Sequence, residues 1–168
     1  MKTTSFILIC LMLILLVSCN NEKKRQFVPE IPTHTKLILN KEETIKLWKK
    51  AIDEGDFKAY ANISNAYLMN TQIYELYYYS LIMTNKYNCP QAYYHLFTIM
   101  NDKVSIDGLK LYSNDEATRN MSLYYLLRAK ELGYTQAQFE IDDVFGKGKS
   151  VPKSSYFIQQ LLISQNLK

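Results

Sequence analysis

One five-residue pattern, written three times, constrains this chain more than any other feature. Ala51, Gly55, Ala59, Ile63 and Tyr67 recur as Ala129, Gly133, Ala137, Ile141 and Phe145, with the same residue types at the same spacing. A further copy lies between them as Thr84, Asn88, Ala92, Leu96 and Met100. There threonine stands for the small residue and asparagine for glycine; asparagine is the next most tolerant of a left-handed backbone. Flanking columns agree: Trp48, Leu81 and Leu126, then Ile45, Tyr78 and Leu123. A residue free to turn left-handed, set between two small residues, reads as the turn of a helical hairpin. The small residues sit where the two helices cross, and larger side chains would push the backbones apart. One hairpin cannot bury its face alone, so about three must stack. The expected fold class is all-α: a short solenoid of about three antiparallel helix pairs plus a C-terminal capping helix.

Local signals agree with that plan. Apolar residues recur at three and four positions, with no competing strand-like alternation. Asn40 with Glu43 forms a capping box, and the helix it opens, Lys41 to Glu54, should end at Gly55. Ser154 to Asn166 carries Phe157, Ile158, Leu161 and Leu162 at helical spacing, and should close the open end of the stack. About twelve extra residues near Asn101 to Asp115 separate the second unit from the third and are expected to form a loop.

The third unit, Tyr125-Leu126-Leu127-Arg128-Ala129-Lys130-Glu131-Leu132-Gly133-Tyr134-Thr135-Gln136-Ala137-Gln138, resembles the Sel1-like repeats, relatives of the tetratricopeptide repeats. Phe145-Gly146-Lys147-Gly148 and Val151-Pro152 look like that family's glycine-containing turn. The chain also departs from the family. The second alanine of its usual pair is Ile52, Asn85 and Lys130 here, and the usual acid after the turn is Lys153. The resemblance covers about Lys41 to Lys153 and implies a domain that binds other proteins.

The N-terminus bears on compartment. Lys2 precedes an apolar run from Phe6 to Val17, which has the layout of a secretory signal peptide. The run is shorter than the ~20 apolar residues a bilayer span needs. Its end, Leu16-Val17-Ser18-Cys19, resembles the lipobox of bacterial lipoproteins. That resemblance implies cleavage before Cys19 and acyl chains, palmitate among them, on the cysteine. Asn20, rather than aspartate, follows it, and the next charges are the basic Lys23, Lys24 and Arg25. By the same resemblance these point to the outer membrane and its periplasmic face. The organisation expected is a signal peptide over 1–18, a lipidated cysteine and linker over 19–40, and a repeat domain over 41–168.

Removing Lys2 leaves 19 basic and 16 acidic side chains, too mild a balance to argue for nucleic acid. With Cys10 in the leader and Cys19 acylated, Cys89 stands alone, so the fold must rest on packing without a disulfide. Catalytic chemistry is hard to assemble. His34 and His95 are the two histidines, and no His, Cys or carboxylate cluster has metal-ligand spacing. Cys89 has no base or orienting group in a recognisable motif and reads as a small thiol at a helix start. Gly148-Lys149-Ser150 resembles the tail of a phosphate-binding loop, but Asp143 stands where that loop needs glycine. Asp102, Asp107, Gly108, Asn114 and Asp115 do not match calcium-loop spacing. No catalytic residue, metal or cofactor is expected.

Fourteen tyrosines are the unusual feature of the composition. Most should fill core columns, Tyr78 and Tyr125 among them. Two columns mix charge with aromatic and sulfur side chains and are therefore expected to face solvent. One is Lys46, Tyr79 and Tyr124; the other, one turn on, is Lys50, Met83 and Arg128. Tyr, Met and Arg are enriched at protein interfaces, so these six are the expected partner-binding stripe. The expectation is a non-enzymatic, monomeric lipoprotein whose domain binds a protein, either an envelope component or a toxin that it blocks as an immunity protein. The alternative is a Tyr-lined pocket for a small ligand or cell-wall fragment, as a carrier or an enzyme.

Overall fold

The computed structural model describes residues 40–70, 72–101, 105–106, 109–110 and 115–166. The expected signal peptide, Cys19 and the expected linker as far as residue 39 lie outside the described residues. Seven helices make up the described chain: α1 (Lys41–Glu54), α2 (Phe57–Met69), α3 (Ile73–Tyr87), α4 (Pro90–Asn101), α5 (Glu116–Glu131), α6 (Ala137–Phe145) and α7 (Ser154–Asn166). The architecture is all-helical and repeat-like: α1–α2, α3–α4 and α5–α6 are hairpins, and α7 packs along α5. Between α4 and α5 the expected loop carries a small antiparallel pair, β1 (Ser105–Ile106) and β2 (Leu109–Lys110).

The repeated pattern does what its chemistry requires. Gly55, Asn88 and Gly133 all have positive φ, at 70°, 51° and 96°, and Asn88 is the one non-glycine residue to do so among those described. Each hairpin then closes by a backbone bond from the following residue: Asp56 N–H to Lys50 O, Cys89 N–H to Met83 O, and Tyr134 N–H to Ala129 O. The small columns are sealed. Ala51, Thr84 and Ala129 are buried, as are Ala59, Ala92 and Ala137, and the Ile63, Leu96 and Ile141 column behind them.

Helix starts follow local capping. Asn40 Oδ1 accepts from Glu43 N–H at 2.8 Å, and Glu43 Oε2 accepts from Asn40 N–H at 3.3 Å, completing the capping box. Asp56 Oδ1 accepts from the amides of Lys58 and Ala59 at the head of α2. Pro90 opens α4 at the position where a missing N–H costs nothing. Asp115 Oδ1 accepts from Thr118 N–H at 2.8 Å and starts α5.

The core falls into two clusters that share α4. Ala92 and Ile99 face a cluster with Trp48, Tyr60, Ile63, Leu76 and Met83 from α1–α3. Tyr93 and Phe97, on the other side of α4, face Leu123, Leu126, Leu127, Ile141 and Phe157 from α5–α7. α7 is fastened by Glu131, whose carboxylate accepts from Ser154 N–H at 2.8 Å and Ser154 Oγ–H at 2.7 Å. Of its expected apolar face, Phe157 and Leu161 are buried, Ile158 is half-buried and Leu162 is exposed.

Gly55 has a second role besides its backbone angle. Tyr87 OH donates to Ile52 O and Asp53 O, so the end of α3 caps the last carbonyls of α1. A Cβ on Gly55 would lie 2.8 Å from Tyr87 Cδ1, whereas one on Gly133 would meet nothing within 4 Å. Equilibrium unfolding should therefore separate the two positions. Gly133→Ala should cost about 1–2 kcal/mol from backbone strain alone, and Gly55→Ala roughly twice that as the Tyr87 ring is displaced. Equal costs would contradict the packing role. Ala137→Leu, at a fully buried crossing, should cost ~1–3 kcal/mol by overpacking, and an unchanged melting temperature would contradict the register.

Candidate functional site

The aromatic surface is built outward from Trp48. Its ring stacks on Tyr79 at 3.8 Å between centroids, meets Tyr67 edge-on at 5.1 Å, and lies 6.1 Å from Tyr60. Such contacts add ~0.5–1.5 kcal/mol each beyond area burial, so this group pins α1 to α2 and α3. Tyr78, edge-on to Tyr79 at 5.8 Å, projects outward with 63% of its surface exposed. Ile45, in the same repeat column on α1, is 57% exposed, and Tyr74, one turn before Tyr78, is exposed as well. Exposed large apolar side chains, tyrosine among them, are the kind found at recognition surfaces.

The six expected stripe residues do not form one surface. Lys46 and Lys50 are exposed on α1 as expected. Tyr79 is half-buried against Trp48. Tyr124 is half-buried between Tyr93, at 6.2 Å, and Tyr125, at 5.3 Å. Arg128 Nη1 is paired with Glu131 Oε2 at 3.3 Å, beside the Ser154 bonds. Burial alone would raise the pKa of Glu131, but the Ser154 bonds and Arg128 outweigh it and hold the carboxyl below its ordinary value. Met83 is a correction: it has no exposed surface and belongs to the first core cluster. Trp48 and Ala51 of α1 belong to the same cluster, whereas Lys50 on α1 meets solvent.

Tyr78 is the opposite correction, a residue expected in the core and found outside. Leu123, in the same column on α5, is buried where α5 packs closely on α7, whereas α3 does not pack closely on α5 and Tyr78 is open. Residue type carries no signal of this difference. Tyr125 lies between the two outcomes, half-buried, and burial first, then Tyr77 and Tyr124, push its phenol up to about 12.

Between the helices runs a polar chain that sequence reading missed. Tyr60 OH lies 2.8 Å from Ser80 Oγ and 2.9 Å from His95 Nδ1, and Gln91 Nε2 lies 3.4 Å from His95 Nε2. All four residues are buried. With the Gln91 amide donating to Nε2, the imidazole carries its proton on Nδ1, and Nδ1–H donates to Tyr60 OH, which donates to Ser80. The chain joins α2, α3 and α4 and fixes a neutral histidine. Cys89 is likewise enclosed. Burial pushes its pKa up to about 12, against the smaller lowering effect of the Ala92 and Gln91 backbone amides, far from a thiolate nucleophile.

A half-open recess of about 300 Å³ lies between α1 and the end of α2, lined by Lys41, Thr44, Ile63, Ala66, Tyr67, Asn70 and Gln72. It holds one tyrosine and no carboxylate, unlike the converging set that ligand chemistry on a sugar would need. Among the described residues no group of three His, Cys, Asp or Glu side chains is placed to hold a metal, and no helix is long and apolar enough to cross a membrane. Comparison of the chain with protein-family models, curated proteins and solved structures finds no match.

The buried histidine sets a pH dependence. Burial lowers the His95 pKa to about 3 from an ordinary value of 6.5. As pH falls below 6.5 the unfolded chain takes up a proton that the folded chain refuses until near pH 3, so stability is lost across that window. The slope approaches ~1.4 kcal/mol per pH unit for one proton. Urea unfolding of the wild type should weaken between about pH 6.5 and 5, and His95→Gln should flatten that decline. A parallel decline in the variant would contradict it.

Proposed function

We propose that this chain is a lipoprotein held at the cell envelope by acyl chains on Cys19, and that its helical domain binds a partner protein rather than catalysing a reaction. The reading puts it on the periplasmic face of the outer membrane as a monomer, without cofactor or nucleic acid. Two kinds of partner suit it: a component of an envelope assembly, or a toxin from neighbouring cells that it blocks as an immunity protein. Three small units match one compact target better than they match a long scaffold.

The observation that carries the binding reading is the exposure of large apolar side chains on the first two units, Ile45 on α1 and Tyr74 and Tyr78 on α3, with Lys46 and Lys50 also exposed on α1. The likeness of the third unit to Sel1-like repeats, and the spacing of Leu16-Val17-Ser18-Cys19, support the family and the anchor. Tyr, with few torsions and one polar tip, presents contact area at low entropic cost.

Affinity capture with the chain starting at Asn20, against lysates of its own and neighbouring cells, tests the binding. One dominant protein should be retained, and Ile45→Ser with Tyr78→Ala should weaken it by roughly tenfold or more, the scale of a hot-spot pair. Neither residue is in the core, so a retained partner at unchanged affinity overturns their part in binding. The anchor has its own test. Cys19→Ser should move the protein from the membrane fraction to the soluble fraction, and a variant that stays membrane-bound contradicts lipidation.

A further inference from the structure

Charge is one-signed at the end of this chain. From 144 to 168 it carries Lys147, Lys149, Lys153 and Lys168 and no Asp or Glu. Elsewhere the signs are mixed: α1, for instance, exposes Lys46, Lys49 and Lys50 alongside Glu42, Glu43 and Asp53. Lys147, Lys149 and Lys153 lie in the turn that leads from α6 into α7, and all three are exposed. None of them is paired with a carboxylate among the described residues. Glu131, at the start of α7, is held by Ser154 and paired with Arg128, so its charge is answered within the domain. The acids of α6 end at Asp143, and α7 packs along α5 rather than along α6.

The helix behind these lysines is unusual on its outer side. A helix with one side packed and the other in water ordinarily puts charge on the wet side. α7 carries no charge between Ser154 and Asn166. Phe157 and Leu161 turn inward and are buried. At helical spacing Tyr156, Gln159, Leu162 and Ile163 fall on the opposite side, and all four are exposed. Leu162 and Ile163 leave 56% and 53% of their surface open. Apolar residues and a tyrosine on one helix face, led in by unpaired lysines, match an anionic bilayer surface. The apolar side chains enter the acyl boundary, the tyrosine takes the headgroup level, and the ammonium groups meet phosphates. A second copy on this face would set the same lysines against each other and be repelled.

We infer that the outer face of α7, with Lys147, Lys149 and Lys153 before it, docks on an anionic lipid surface with the helix lying along the headgroups. The contact is reversible and does not rest on acylation of Cys19. The test uses the full-length protein reconstituted with vesicles of phosphatidylcholine, or of phosphatidylcholine and phosphatidylglycerol in equal parts. An environment-sensitive fluorescent amino acid replaces exposed Ile163 or, as a control, exposed Lys58 on α2. With anionic vesicles, emission from position 163 should shift to the blue and be quenched by brominated lipid, while position 58 reports water in both mixtures. Lys147→Glu, Lys149→Glu and Lys153→Glu together should abolish the shift, since each lysine contributes roughly fivefold to partition onto an anionic surface. Raised salt should weaken it in the unmutated chain. A tether at the N-terminus leaves position 163 in water, so water-like emission throughout overturns the inference. An equal shift in both mixtures, or a shift that grows with protein concentration at constant lipid as a second copy would give, overturns it as well.

Discussion

Everything in this fold hangs on three residues that turn the backbone left-handed. A helix that runs on past Gly55, Asn88 or Gly133 cannot fold back on itself, and its small residues would face nothing. With φ positive at each, the second helix leaves at once and crosses the first where Ala, Thr or Ala leaves room. The close crossing is then possible because no side chain intervenes. Turn and crossing need each other, which is why both types recur together along the chain.

Equal turns do not make equal units. The first hairpin is tied to the second by Trp48 on Tyr79 and by Tyr87 on the end of α1. The polar chain through Tyr60 and His95 joins α2 to α4 at a depth where an unpaired hydroxyl or imidazole would be costly. The third hairpin leans on α4 and on α7 instead, through Tyr93, Leu126 and Phe157. α4 carries both sets of contacts, one on each side. Between α3 and α5 packing is slight, and there the tyrosines open to solvent.

That asymmetry explains what could be read in the sequence. Helix α1 was legible to the residue, because Asn40, Glu43 and Gly55 each have a local chemical reason to be where they are. α7 was legible from four apolar residues, and the buried columns from their smallness. Met83 and Tyr78 were not legible. Their exposure is decided by which helix stands alongside: Met83 is core in the middle unit while Lys50 meets solvent in the first, and Tyr78 is open in the middle unit while Leu123 is buried in the third. The Tyr60–Ser80–His95–Gln91 chain was hidden for a similar reason: its members lie on three helices and share no spacing.

The exposed tyrosines of α3 lie where packing against α5 is slight. Their placement depends on the middle unit being a true hairpin, although asparagine replaces glycine there. The most direct measurement is the backbone torsion at Asn88 by NMR of the chain starting at Asn20, from its three-bond amide coupling and chemical shifts. The account predicts a positive φ, with the Cys89 amide protected by its bond to Met83 O. A negative, helical φ at Asn88 would make α3 and α4 one continuous helix and contradict the threefold hairpin.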